Sequence, residues 1–215
     1  MKTVYGLAFS GGKDSLACWY LTRHLNPIVI WVNTGKAYPE TLKIIDTVRK
    51  ASKNFVEVHS DKESQNMCHG LPSDIVPINF TSGAKLLTGQ KEVKVQSYLR
   101  CCYENISFPL LQAMQSLGVT DMIRGQRNNE DYKGAVRDGD IVADMKVIHP
   151  IENWTSADVI EYLKGFGEIP EHFKLSHSSM DCYDCTAYLH NSMDRLIWTK
   201  ERHPEKYNEY QGKLF

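Results

Sequence analysis

Short apolar runs alternate with helical stripes across the first sixty residues, and few architectures accept that order. Val4–Phe9 shows no polar alternation, as expected of a strand covered on both faces. Asp14–His24 carries Leu16, Ala17, Trp19, Tyr20 and Leu21 as a helical stripe. Pro27–Val32 reads as a second buried strand and Phe55–His59 as a third. Between them Glu40–Ser52 reads as a helix with Leu42, Ile45 and Val48 on one face. A βαβαβ order predicts a three-layer α/β/α fold with a mainly parallel central sheet, because parallel neighbours need a helical crossover that returns over one face. At 215 residues the chain can bury that core as one domain, 1–215.

Further along, the segment 60–95 is interrupted by Gly70, Pro72, Pro77, Gly83 and Gly89 and reads as an irregular flap. Helical periodicity returns at Asn105–Leu117, and Asp121–Arg124 reads as a fourth strand ending at Gly125. Asn128–Asp140 is polar, and Ile141–His149 supplies one or two more strands. Ser156 is placed as the cap of a helix through Leu163, with Asp158 in its first turn. The tail 186–215 reads as helical, from Ser192 to a stop at His203-Pro204. A net charge of −1 provides no global field for nucleic acid, which is not expected as a partner. No apolar run approaches the roughly 18 residues a membrane helix needs. The N-terminus lacks the apolar region of a signal peptide. A cytoplasmic protein with reduced thiols is expected, and a homo-oligomer is compatible with this composition.

The link between the first strand and the first helix is Ser10-Gly11-Gly12-Lys13-Asp14-Ser15. Two glycines allow a tight turn in which consecutive amides converge on an anion, and the following helix adds its positive dipole end. Lys13 contributes a charge, and Ser10 and Ser15 contribute hydroxyls. The spacing is neither that of a Walker A loop nor G-x-G-x-x-G. This hexapeptide resembles the PP-loop of the adenine nucleotide α-hydrolase-like superfamily, whose fold is Rossmann-like and whose members handle the α-phosphate of ATP-like ligands.

Three further segments resemble the phosphoadenosine phosphosulfate (PAPS) and adenylyl sulfate (APS) reductases within that superfamily. Asn33-Thr34-Gly35-Lys36-Ala37-Tyr38-Pro39-Glu40-Thr41 is similar to their D-T-G-x-x-F-P-E-T turn, with Asn33 in place of Asp and Tyr38 in place of Phe. Gly125-Gln126-Arg127 is similar to G-x-R, where Arg127 would grip a phosphate or sulfate as a fork. Lys133 would be the following basic residue, although Glu130-Asp131 stand where a Gln-Ser pair is usual. His149–Val159 resembles P-L-x-x-W-T-x-x-D-V, a stretch explained structurally by a Trp154 anchor and a capped helix. The resemblance implies that Ser10, Gly11, Gly12, Lys13, Asp14, Ser15, Thr34, Gly35, Gly125, Arg127 and Lys133 surround an adenine nucleotide (APS, PAPS or ATP). Lys13 and Arg127 would act on the reacting phosphate or sulfate.

Four of the six cysteines occur as pairs, Cys101-Cys102 and Cys182-x-x-Cys185. Two such pairs supply four soft ligands, which suit an iron–sulfur cluster or zinc by ligand count. Cys101–Leu110 resembles the C-C-x-x-R-K-V-x-P-L segment of cluster-containing APS reductases, and Cys182–Thr186 resembles their C-x-x-C-T. The resemblance implies a [4Fe–4S] cluster on Cys101, Cys102, Cys182 and Cys185. Cys18 reads as core packing and Cys68 as a loop thiol. No cysteine follows Cys185, whereas those reductases carry a nucleophilic one in a C-terminal E-C-G-L-H segment.

The expectation is therefore an iron–sulfur enzyme of sulfur metabolism, similar to PAPS/APS reductases, that releases sulfite and AMP or PAP. Its thiol would come from Cys68 or from a donor such as thioredoxin or glutathione. Two alternatives stand beside it. One is an ATP pyrophosphatase that adenylates a substrate for cluster-dependent sulfur transfer. The other is a non-catalytic nucleotide- or redox-binding protein.

Overall fold

A computed structural model describes residues 2–73, 95–130, 134–175, 181–187 and 193–214. Strands β1 (Tyr5–Ala8), β2 (Ile28–Asn33) and β3 (Asn54–His59) alternate with helices α1 (Lys13–Thr22) and α2 (Pro39–Ala51). The next elements are α3 (Lys62–His69), β4 (Leu71–Ser73), β5 (Val95–Ser97) and α4 (Tyr98–Cys102). A π-helical turn, Tyr103–Ser107, leads from α4 into α5 (Phe108–Ser116). There follow β6 (Asp121–Ile123), β7 (Ile141–Val142), β8 (Met145–Ile148), α6 (Ser156–Lys164) and α7 (His172–Leu175). The last helices are α8 (Met193–Arg202) and α9 (Pro204–Leu214).

Six strands form one sheet in the order β3-β2-β1-β6-β8-β7, parallel except for β7 against β8. Leu7 of β1 lies between Val29 of β2 and Ile123 of β6 in register. Chain order thus runs outward from β1 in both directions, which makes the gap beyond β1 and β6 the switch point where α/β crevices form. Each face of the sheet has its own core. Leu7, Val29 and Ile123 pack with Ala17 and Cys18 of α1 and with Val159 and Leu163 of α6. Ile30, Met122 and Val147 pack with Met114 of α5 on the opposite face. The expected three layers are therefore present.

Several local expectations need correction. Leu42 is 43% exposed, and the buried face of α2 is Thr41, Ile45 and Val48. The cap of α6 is Thr155, not Ser156: Thr155 is extended and exchanges hydrogen bonds with Asp158, whereas Ser156 is already helical. The helix before β6 starts at Tyr98 and reaches Asn105 through the π turn. The tail does not stop at His203-Pro204, because proline at a first helical position needs no N–H donor and opens α9. Within 60–95 the regular elements α3 and β4 escaped the reading, and 74–94 lies outside the described residues. Cys68 accordingly sits on α3, not in a loop, and is exposed. Cys18 is fully buried, as expected of core packing.

Candidate functional site

The Ser10–Ser15 loop leaves β1 and enters α1 without any side-chain cap on that helix. The first-turn amides of α1 therefore keep donors that the helix cannot use itself. Gly11 has φ +81°, and an added Cβ would lie 2.8 Å from Thr41 Cγ2, so the loop packs tightly on α2. The Ser10 hydroxyl accepts from Gly12 N at 3.3 Å, and the Ser15 hydroxyl donates to the Gly12 carbonyl at 3.0 Å. These bonds curl the backbone into a concave turn at the switch point. Uncapped amides, a dipole end and a nearby lysine are the features that an anion seat requires.

A cavity of about 480 Å³ opens beside this loop. Its walls come from the ends of β1 (Phe9, Ser10), β2 (Trp31, Thr34) and β6 (Arg124, Gly125), and from the α4–α5 stretch (Cys102, Ile106, Leu110). Trp31, Ile106 and Leu110 offer apolar surface of the kind a flat ring requires. Gly125 is where β6 meets α1: a Cβ there would lie 2.7–2.8 Å from backbone atoms of Asp14 and Ser15. Thr34 is buried and approaches Cys182 Sγ through its hydroxyl at 3.5 Å. Gly35, at φ +74°, permits the turn that follows.

Arg127 is placed differently from a freely reaching anion clamp. It is 7% exposed, and its Nε donates to Asp14 Oδ1 at 2.8 Å. Its Nη1 donates to Asn129 Oδ1 at 2.7 Å, and Glu130 lies 3.7 Å away. The second Asp14 oxygen meets Lys13 Nζ at 3.2 Å. Asp14 therefore links Lys13 to Arg127 and ties the loop to the end of β6. Lys133 lies outside the described residues. The guanidinium in the cavity wall is Arg124, which sequence reasoning passed over as a strand residue. Burial depresses its pKa from the ordinary arginine value, and the Glu130 carboxylate opposes that shift. Strand alternation after Met122 was the available signal for its orientation.

Cys102, in the cavity wall, has its pKa raised first by burial and then by Cys185, Cys101 and Cys182. Burial also pushes Cys101 up to about 11 and Cys182 up to about 12, while the Lys62 ammonium pulls both down. All six cysteines are free thiols. Among the described residues, no three His, Cys, Asp or Glu side chains stand in a metal-ligating group. Lys62, 2% exposed, pairs with Asp184, 1% exposed, within the Cys182-x-x-Cys185 turn. This buried pair was not anticipated, because Lys62 falls in a stretch read as irregular. The turn is docked onto the N-terminal half: Tyr183 N donates to the Lys36 carbonyl at 2.9 Å, and the Tyr183 hydroxyl donates to Glu209 of α9 at 2.8 Å. Tyr38 and Thr199 of α8 share a 2.6 Å hydroxyl contact. The tail thus locks Cys182 beside Thr34.

Fold and loop together define an α/β protein with a glycine-rich strand-to-helix loop at the switch point of its sheet. Residues 5–188 match the phosphoadenosine phosphosulfate reductase domain, and the chain belongs to that family. An adenosine 5'-phosphosulfate reductase of Burkholderia cepacia is 26% identical over 178 residues, 78% of this chain. The chain spans 63% of that relative's length. A crystal structure of phosphoadenylyl-sulfate (PAPS) reductase from Candida auris, a phosphate complex, superposes with a TM-score of 0.52 at 17% identity. That match covers 81% of this chain and 79% of the other, and it supports the fold. A predicted subunit of a tRNA methyltransferase from Methanocaldococcus jannaschii DSM overlaps at a TM-score of 0.48 and 17% identity, covering 96% and 92%. Among the described residues no helix is long and apolar enough to cross a membrane.

Proposed function

We propose that the chain is a sulfonucleotide reductase-type enzyme of the cytoplasm, binding an adenylyl nucleotide at Ser10–Ser15 and carrying a [4Fe–4S] cluster on Cys101, Cys102, Cys182 and Cys185. One observation carries the reading: the cavity that Ser10 of the loop lines also has Cys102 in its wall, which supports a nucleotide seat next to the paired cysteines. The loop amides and Lys13 would hold the α-phosphate, and Trp31, Ile106 and Leu110 would cover the adenine. Thr34, Gly35 and Gly125 would shape the ribose side. Arg127 would act through Asp14, holding Lys13 toward the phosphate as AMP leaves.

The donor set fits a cluster in chemistry. Four cysteines supply soft ligands of the right number, Cys102 lies within electrostatic reach of the other three, and Lys62 supplies a buried cation toward Cys101 and Cys182. The cluster would supply a fixed charged centre beside the nucleotide's acidic end. The reaction itself belongs to thiols. A thiolate attacks the sulfur of the adenylyl sulfate, forming an S–S bond and breaking the S–O bond to AMP. A second thiol attacks the resulting thiosulfonate, forming a disulfide and releasing sulfite, so two thiols supply the two electrons. Among the described residues Cys68 is the exposed cysteine; otherwise the thiol comes from outside these 215 residues, for example from thioredoxin or glutathione.

The test is sulfite and AMP release from APS or PAPS by anaerobically purified protein with a dithiol donor. Activity lost in Lys13→Ala and in Cys182→Ser supports the reading. Absence of turnover with every thiol donor, or pyrophosphate release from ATP in its place, would overturn it. A colourless, zinc-loaded preparation would overturn the cluster.

A further inference from the structure

We infer that Arg124 binds a second anionic group of the nucleotide, a phosphate or sulfate apart from the one seated in the Ser10–Ser15 loop. The inference rests on the nucleotide reading above and adds to it the residue that would hold the second anion.

Pairing among the buried and half-buried cations of the described residues points to Arg124, which is half-buried. Arg127 is held by Asp14, and Lys62 by Asp184. Arg195 donates to the carbonyls of Cys185 and Ala187. The guanidinium of Arg124 has no hydrogen bond or ion pair with any described residue, yet it lines the cavity. The carboxylate whose charge acts on it is Glu130, which accepts from the Arg127 amide at 3.2 Å and lines the same cavity, as does Asp181. A half-buried guanidinium with no partner among the described residues is partly desolvated, and an entering oxyanion offsets that cost with two parallel bonds.

Direction separates this seat from the loop. Ile123 packs on the α1 face of the sheet, while Met122 packs on the α5 face with Met114. Arg124 continues the Met122 side, where its charge also depresses the pKa of His149, the residue after β8. The loop amides and Lys13 belong to α1. Gly125, between the two, keeps β6 in backbone contact with Asp14 and Ser15. The cavity is therefore lined by Ser10 of the loop that enters α1 and by Arg124 at the end of β6, with Ile106 and Leu110 also in its wall.

Binding of AMP, ADP, adenosine 3',5'-bisphosphate and APS should be measured calorimetrically for wild type, Arg124→Met and Arg124→Lys. Wild type should bind at least one two-anion ligand more tightly than AMP. Arg124→Met should weaken that ligand on the order of 10- to 100-fold while leaving AMP within about threefold. Arg124→Lys should restore part of the loss. An effect on the 3',5'-bisphosphate places the second anion on the ribose; an effect on APS or ADP places it on the 5' chain. Without ligand, Arg124→Met should melt no lower than wild type, since it removes an unpaired charge. Equal weakening of AMP and the two-anion ligands would overturn the assignment, as would an unchanged ranking in Arg124→Met. A lower melting temperature restored by Arg124→Lys, with ligand ranking unchanged, would mark Arg124 as structural. Wild type binding none of the four would defeat the nucleotide reading itself, whereas AMP binding lost in Lys13→Ala would uphold it independently of Arg124.

Discussion

Gly125→Ala is the perturbation that most directly tests how the sheet positions the phosphate loop. The new methyl carbon would lie 2.7 Å from the Asp14 carbonyl carbon and 2.8 Å from the Asp14 oxygen and the Ser15 nitrogen. Ordinary contacts of this kind sit near roughly 3.5 Å, so strand and helix must part by about 0.7 Å. None of the three atoms is the end of a flexible side chain, so the backbone itself has to yield. Overpacking of this sort costs about 1–3 kcal/mol. For a chain of this size that corresponds to a melting temperature lower by roughly 2–12 °C. The displaced atoms include an amide of the anion seat. Losing one charge-assisted hydrogen bond should weaken AMP roughly ten- to a hundredfold. Gly12→Ala is the control: its Cβ would meet only Ser10 Oγ, at 3.4 Å, so its cost should stay under about 1 kcal/mol. Calorimetry of melting and of AMP binding reads both effects. A Gly125→Ala protein that melts within about 1 °C of wild type and binds AMP within about twofold would refute the reasoning.

Two further outcomes follow from buried groups. Lys62→Met removes the ammonium from a nearly inaccessible Asp184 and should cost about 3–5 kcal/mol in urea unfolding. Lys62→Met/Asp184→Leu should recover most of that loss; a double variant no better than the single would show that the pair is not the determinant. His149, whose ring nitrogens have no hydrogen-bond partner among the described residues although Glu152 lies 3.8 Å from Nδ1, and His172 are held below the ordinary histidine pKa, chiefly by burial. Their neutral forms are favoured in the fold, so the unfolded chain takes up protons first as pH falls. The associated stability is complete above about pH 6.5 and declines as pH falls toward the depressed folded values. The limiting slope is roughly 1.4 kcal/mol per pH unit for each histidine. His149→Leu should flatten part of this decline, and a stability that is level between about pH 7 and 5 would contradict it.

Much of the architecture was legible because it depends on local periodicity. The strands and helices of the first sixty residues fall within a residue or two of their expected bounds, since buried parallel strands must be continuously apolar. The placement of the glycine-rich loop was legible for the same reason: Gly11 and Gly12 stand between a strand and a helix. Leu42 misled because a three-residue spacing does not say which side of the helix meets the sheet. Helix α3 was missed because the nearby glycines and prolines obscured a polar helix with little apolar signal. The roles of Arg124 and Arg127 were not separable in the sequence. Both are arginines at one strand end, and only their neighbours differ.

Composition and order alone determined a parallel α/β sheet, a phosphate-type loop after its first strand, and two cysteine pairs. These are properties of residues close together in the chain, where backbone propensity and periodicity act. Tertiary structure decided which charges are matched. Asp14 and Arg127 are 113 positions apart and meet at 2.8 Å. Lys62 and Asp184, 122 positions apart, form a buried pair beside the Cys182 turn. The energy of a buried charge depends on what the fold packs against it, so the cation that faces the cavity, Arg124, became visible only once every other partner had been placed.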